Sequence, residues 1–118
     1  MEIERQERRE RPRYELLEIG VLWREKSGGR ERVGSALITN ASMGGVQIRT
    51  REDLHPGEQV LLELGSDQGP LYLRVDVRYA ERQGSDGLLV AGLRFNPQSE
   101  RDHRALARYL LSVRDRAC

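Results

Sequence analysis

Between Leu71 and Tyr79 the chain alternates without a break, with Leu71, Leu73, Val75, Val77 and Tyr79 on one parity and Tyr72, Arg74, Asp76 and Arg78 on the other. A period of two describes a strand with one face on a core and the other in water, because successive side chains of an extended backbone point to opposite sides. The same period returns five more times. Tyr14 to Arg24 sets Leu17, Ile19, Val21 and Trp23 against Glu18, Gly20 and Leu22. Val33 to Thr39 makes a second run, and Val46, Ile48 and Thr50 alternate with Gln47 and Arg49. Val60, Leu62 and Leu64 alternate with Leu61 and Glu63, and Leu89, Ala91, Leu93 and Phe95 make the last run. Turn-forming residues separate them: Ser27-Gly28-Gly29, the stretch Asn40 to Gly45, His55-Pro56-Gly57-Glu58, Ser66 to Pro70, and Gly84 to Gly87.

Six short strands with hairpin-sized links and no helix between them predict a mostly β fold, an antiparallel barrel rather than a sandwich or a parallel sheet. After Phe95 the period changes. Leu106, Tyr109, Leu110 and Val113 recur at helical spacing behind Ser99, a suitable N-cap with Asp102 three residues on, so one C-terminal helix is expected over about 99–116. Its apolar stripe, Leu106, Leu110 and Val113, is suited to covering an open end or edge of the barrel. A barrel of six strands fills its interior with side chains, which puts any ligand on the outer wall or rim.

The 118 residues suffice for one domain and one modest core. Residues 1–13 differ from the rest: Glu2, Glu4, Glu7 and Glu10 alternate with Arg5, Arg8, Arg9, Arg11 and Arg13, with Ile3 the only aliphatic side chain after Met1. Such a stretch cannot bury itself and is expected to be a flexible arm, leaving residues 14–118 as barrel and helix. Pro12 biases Arg11 toward an extended conformation. If Arg9 to Arg13 is extended, the two arginines stand roughly 13 Å apart, a span that embraces a nucleotide.

Charge narrows the function. Although 33% of residues are charged, the formal net charge is +1, so no global field draws the chain onto a nucleic-acid polymer or an anionic membrane. Six aromatic residues (one Trp, four Tyr, one Phe) are few for a barrel that stacks single-stranded RNA or DNA. No apolar run reaches signal-peptide or membrane-span length, and the one cysteine, Cys118, has no partner for an internal disulfide, so a cytoplasmic protein without membrane insertion is expected. No Ser-His-Asp order, carboxylate pair or metal-ligand spacing is present; His55 in a Pro-Gly turn and His103 early in the helix read as surface residues. The chain is therefore not expected to be an enzyme or to carry a metal or cofactor.

Two stretches carry binding chemistry. Arginine's planar fork pairs with phosphate and with the O6 and N7 acceptors of guanine, and it stacks on base faces. Asn40 and Ser42 add short polar side chains, and Gly45 lacks one that would hold a ligand away. Together the Arg-rich leader and the Asn40–Gly45 stretch suit a guanine nucleotide with more than one phosphate. Tyr79 offers a stacking surface, although its parity predicts burial.

The chain resembles the PilZ domain, the bacterial receptor module for cyclic di-GMP. That family carries R-x-x-x-R before the first strand, often with a further Arg ahead of it, and [D/N]-x-S-x-x-G at a strand turn. Arg9 and Arg13, with Arg8 preceding, match the first motif; Asn40, Ser42 and Gly45 match the second. Pro56-Gly57, then Gly92-Leu93-Arg94-Phe95 and the closing helix, follow in the family's order, so the likeness runs from Arg8 to near the end. It implies a six-stranded split barrel whose arm folds over cyclic di-GMP, with Arg8, Arg9, Arg13, Asn40, Ser42 and Gly45 as the ligand-binding set. In this family two intercalated ligand molecules are often held, and Arg8 points to that stoichiometry. The resemblance further implies signalling to an unidentified effector protein, in motility or biofilm control. The alternative is a degenerate relative that acts as a protein-interaction adaptor without nucleotide. Asn40 is the less frequent choice at its position: an aspartate offers guanine's N1–H and N2–H2 two acceptors, an amide only one.

Overall fold

The computed structural model describes residues 13–117. Six strands follow one another, β1 (Tyr14–Lys26), β2 (Gly29–Ala41), β3 (Gly45–Thr50), β4 (Gln59–Leu64), β5 (Leu71–Gln83) and β6 (Leu88–Phe95), and one helix, α1 (Glu100–Ala117), ends the order. Every pairing is antiparallel, and the strands close into a barrel in the order β1-β2-β3-β6-β5-β4. The expected architecture of six antiparallel strands and a terminal helix is what the chain adopts. The arm expected over 1–13 lies outside the described residues apart from Arg13.

The interior is built from one parity of each strand. Leu22, Ile38, Ile48, Leu62, Leu64, Leu73, Val75 and Val77 are fully or almost fully buried, and each such aliphatic side chain contributes roughly 1.5–3 kcal/mol. The strands close into a ring, but the seam where β4 meets β1 is short: Val21, Leu22 and Trp23 pair with Glu63, Leu62 and Leu61. Trp23 reinforces it by donating Nε1–H to Glu63 Oε1 at 2.8 Å.

Helix α1 packs against β5 and β1. Tyr109 and Val113 are buried, Leu106 and Leu110 pack partly against the core, and the Tyr109 ring meets Phe95 edge-on at 6.3 Å between centroids. The expected N-cap forms: Ser99 Oγ accepts from the Asp102 amide at 3.0 Å, and Asp102 Oδ2 accepts from the Gln98 amide at 2.9 Å. The Ser99 bond satisfies one of the amides that the first helical turn leaves without partners, and the Asp102 bond reaches back to the residue before the cap. Arg74 on β5 then bonds Asp102 at 3.0 Å and pairs with Glu25 on β1, tying helix, β5 and β1 together.

Four irregularities set what faces outward. The β1–β2 ladder shifts register between Glu15 and Glu18 and between Leu22 and Trp23, β2 shifts against β3 between Ile38 and Asn40, and β5 against β6 between Val77 and Tyr79. In β1 the apolar set is the outer one: Leu17 is 85% and Ile19 73% exposed, whereas Gly20 and Leu22 face the core. The alternation marks the strand, but Gly20 is needed inside because a Cβ there would press on the Glu63 carbonyl and the Leu62 and Leu64 side chains. In β5 the shift turns Tyr79 out of the core parity of Leu71 to Val77, and Tyr79 is 48% exposed. The expectation of a buried Tyr79 is thus corrected: one extra residue in the strand reverses every side chain beyond it.

Candidate functional site

The stretch read as a turn from Asn40 to Gly45 is half strand. Asn40 and Ala41 end β2, Gly45 begins β3, and only Ser42, Met43 and Gly44 form the link. Ser42 shapes that link itself. Its amide donates to the Gly45 carbonyl at 2.9 Å, and its Oγ accepts from the Gly44 amide at 3.3 Å. The Phe95 amide donates to the Gly44 carbonyl at 3.0 Å, which anchors the turn to β6.

Gly45 has a different reason from the one the sequence suggested. A Cβ there would run into the Leu93 carbonyl and crowd the Arg94 Cα, both backbone of β6. Glycine is dictated by the close approach of β3 to β6, whatever lies outside. Its neighbour Gly44 faces open space.

Because of the bulges in β2 and β5, one outward row crosses five strands in register: Glu15 pairs with Asn40, Asn40 with Gln47, Gln47 with Gly92, and Gly92 with Tyr79. From Asn40 to Tyr79 the row is hydrogen-bonded. Asn40 Nδ2 donates to Gln47 Oε1 at 2.9 Å, Thr39 Oγ1 lies 3.3 Å from the same oxygen, and Gln47 Nε2 donates to the Tyr79 hydroxyl at 3.1 Å. Tyr79 lies across Gly92 so closely that a Cβ at Gly92 would enter its ring. Glycine here lets an aromatic side chain lie flat on the wall, with its other face toward solvent.

Cations flank the row. Arg94 pairs in register with Gly45, on the turn side of Gln47, and Arg49 lies two residues beyond Gln47; both are exposed. Arg13 is exposed and immediately precedes Tyr14, whose ladder partner is Ala41, so it stands at the Ser42 end. None of these three arginines makes an ion pair among the described residues. Of the expected site residues, Arg13, Asn40, Ser42 and Gly45 gather at one end of the outer wall, and Arg8 and Arg9 lie outside the described residues.

Gln47, Gly92, Arg94 and Arg49 were not singled out from sequence as site residues. The signal for Gln47 and Arg49 was present in their parity opposite Val46 and Ile48; for Gly92 it was the spacing to Arg94 in Gly-Leu-Arg-Phe. His55 and His103 are exposed, as expected. Among the described residues no cluster of His, Cys, Asp or Glu could hold a metal ion, and no helix is long and apolar enough to cross a membrane.

An amide pair, a phenol ring and unpaired guanidiniums on an open wall are binding chemistry: acceptors and donors for a polar planar edge, a face for stacking, and charge for an anion. The class so defined is a small closed barrel whose outer wall carries groups suited to a planar anionic ligand. The PilZ domain model matches residues 7–112. The chain belongs to the PilZ domain family.

Solved structures share the fold. The PilZ domain of YcgR from Escherichia coli, solved with c-di-GMP, has a TM-score of 0.64 at 15% identity, covering 93% of this chain and 94% of that one. MrkH of K. pneumonia in its apo state has a TM-score of 0.62 at 20% identity over 92% of this chain and 51% of its own. The Bacillus subtilis inhibitor of motility, MotI, has a TM-score of 0.59 at 17% identity over 94% and 53%. The chain thus spans about half the length of MrkH and MotI. No curated protein matches the sequence significantly.

Proposed function

We propose that this domain is a cyclic di-GMP receptor of the cytoplasm, with no catalytic activity, that passes ligand binding on to a partner protein. The observation that carries the reading is the outward row Glu15–Asn40–Gln47–Gly92–Tyr79, hydrogen-bonded from Asn40 to Tyr79 and bordered by Arg13, Arg49 and Arg94. Its support is membership of the PilZ family and the fold shared with a YcgR domain and an MrkH structure that were solved with c-di-GMP.

In this reading the Asn40 Oδ1, free once Nδ2 is given to Gln47, accepts from the N1–H or N2–H2 edge of guanine. Tyr79 offers its outer face to a base, worth about 1–3 kcal/mol where bases stack on aromatics. Arg8, Arg9 and Arg13 close over the ligand, taking guanine O6 and N7 and the phosphates bidentately, and the three arginines suit two intercalated ligand molecules. The leader changes conformation because those contacts exist only in the bound state, and the rearranged leader is what the partner reads.

Isothermal calorimetry with cyclic di-GMP on the full chain, Arg9→Ala and Ser42→Ala tests this. Micromolar or tighter binding that Arg9→Ala abolishes is expected. Absence of heat from the unsubstituted chain at millimolar ligand would overturn the receptor reading and leave a nucleotide-free adaptor.

A further inference from the structure

On another part of the wall, a groove of about 450 Å³ runs between the β1–β2 hairpin at Glu25 and Arg30, Leu61 of β4, the start of β5 and the first half of α1. Tyr72 and Tyr79 are seven residues apart on β5, roughly 23 Å at about 3.3 Å per residue, so the groove does not overlap the polar row. Its size lies within the roughly 300–1,000 Å³ of ligand clefts.

Its charge departs from that of the chain. The lining holds Arg30, Arg74, Arg101, Arg104 and Arg108 against two carboxylates, Glu25 and Asp102, in a protein whose Lys and Arg outnumber Asp and Glu by 20 to 19. Both carboxylates are already engaged by Arg74. Arg104 reaches only Glu100, at 3.4 Å between two exposed side chains, a contact worth well under about 1 kcal/mol. Arg30, Arg101 and Arg108 have no ion pair among the described residues. Arg30 is instead held by the Tyr72 ring, its guanidinium carbon 4.2 Å from the ring centroid. A cation over an aromatic face keeps its N–H fork edge-on and available for a carboxylate.

Beneath the cations the lining is apolar, with Leu61 and Leu71, 5% and 6% exposed, beside Pro70 and Ala105. Leu61 is on the outer parity of β4, opposite Trp23 and Arg74 rather than in the barrel core. We infer that this groove is a docking site for an acidic, leucine-containing segment of a partner protein. Its carboxylates meet the surplus guanidiniums of Arg30, Arg101 and Arg108, and an aliphatic side chain seats over Leu61. Charge complementarity argues for a peptide over a phosphate polymer. A polymer needs a continuous basic track, and here Glu25 and Asp102 interrupt it, whereas short acidic segments with apolar anchors need only a bounded cleft. The inference stands whether or not the polar row binds a nucleotide.

The test is a titration of the full chain, isotopically labelled for amide NMR, with the model hexapeptide acetyl-EDLEDL-amide and with acetyl-KDLKDL-amide as control. The expected result is saturable shifts confined to Arg30, Tyr72, Arg101, Arg108 and their neighbours with the acidic peptide only. Affinity should fall at least tenfold in the double variant R101E/R108E. Arg101 and Arg108 are exposed, so that variant should keep its thermal midpoint and its calorimetric response to cyclic di-GMP, which separates this reading from the nucleotide one. Saturable shifts at the Asn40 row instead, no saturable shifts, or tighter binding of a hexanucleotide RNA to the groove would each overturn it.

Discussion

Replacing Asn40 by aspartate puts the proposed recognition of guanine under direct strain. In the present arrangement the Asn40 amide spends Nδ2 on Gln47 Oε1 at 2.9 Å, leaving one oxygen for a ligand. With Asn40→Asp the Gln47 amide must turn over, so that Nε2 donates to the new carboxylate and Oε1 accepts from the Tyr79 hydroxyl. Thr39 Oγ1 keeps an acceptor, because the Gln47 main-chain carbonyl is also 3.3 Å away. The network therefore survives, and the ligand-facing acceptor becomes an ion. Hydrogen bonds to a charged group contribute about 1.5–3 kcal/mol against about 0.5–1.5 for neutral ones, a gain of about 1 kcal/mol. That corresponds to roughly fivefold tighter binding. A cost accompanies it, since Glu15 stands directly across the ladder. Like charges so placed destabilise by a few tenths of a kcal/mol, about 1–2 °C in the melting midpoint of the free domain. Calorimetry with cyclic di-GMP beside a thermal melt measures both. Binding that is unchanged or weaker in Asn40→Asp, with the fold intact, would refute the argument that this side chain meets the guanine edge.

Gly45→Ala should lower stability by about 1–3 kcal/mol, because its Cβ meets unyielding backbone of β6 rather than a flexible side chain; a chemical-denaturation midpoint equal to the parent's would show that β3 and β6 separate freely. Tyr109→Phe should leave stability unchanged or raise it by up to about 1 kcal/mol. Its hydroxyl is buried with no hydrogen-bond partner among the described residues, and burial, with the Glu18 charge nearby, pushes its pKa up. A clear loss of stability would reveal a bond to Glu18. Acid should weaken the fold. The Arg24 side chain holds the Glu58 carboxyl below its ordinary 4.5, and the carboxyl of Asp102 sits below its ordinary 3.8, because the Gln98 amide and Arg74 outweigh the opposing effect of burial. Groups with depressed folded pKa values contribute stability above their unfolded values and lose it as pH falls through the folded ones, so stability should decline below about pH 4.5. Glu58→Gln should flatten that decline in a pH series of melts; an identical slope would show that this pair does not contribute.

Most of the architecture could be read from period and punctuation. The alternation of β5, the turn residues between strands and the Ser99 cap each express a local rule, and local rules survive into the folded chain. What escaped was parity. Tyr79 follows Val77 in a perfect pattern, yet the shift beside it turns the ring outward, and nothing in Val-Arg-Tyr announces the extra residue. Leu17 and Ile19 look like core and are not, because Gly20 takes the inward place, close against Leu62, Glu63 and Leu64 of β4. The candidate site was half legible for the same reason: Arg13, Asn40, Ser42 and Gly45 carry a motif, whereas Gln47 and Gly92 matter only through register with Asn40 and Tyr79, a property of paired strands rather than of either one.

The three-pair join between β1 and β4 has a practical corollary. The only tryptophan in the sequence is stitched across it, indole to carboxylate, at the narrowest place in the hoop. A join of so few pairs is where opening is expected to begin, so the indole is an optical gauge of breathing: a change in its emission that precedes global melting would mark the hoop springing open.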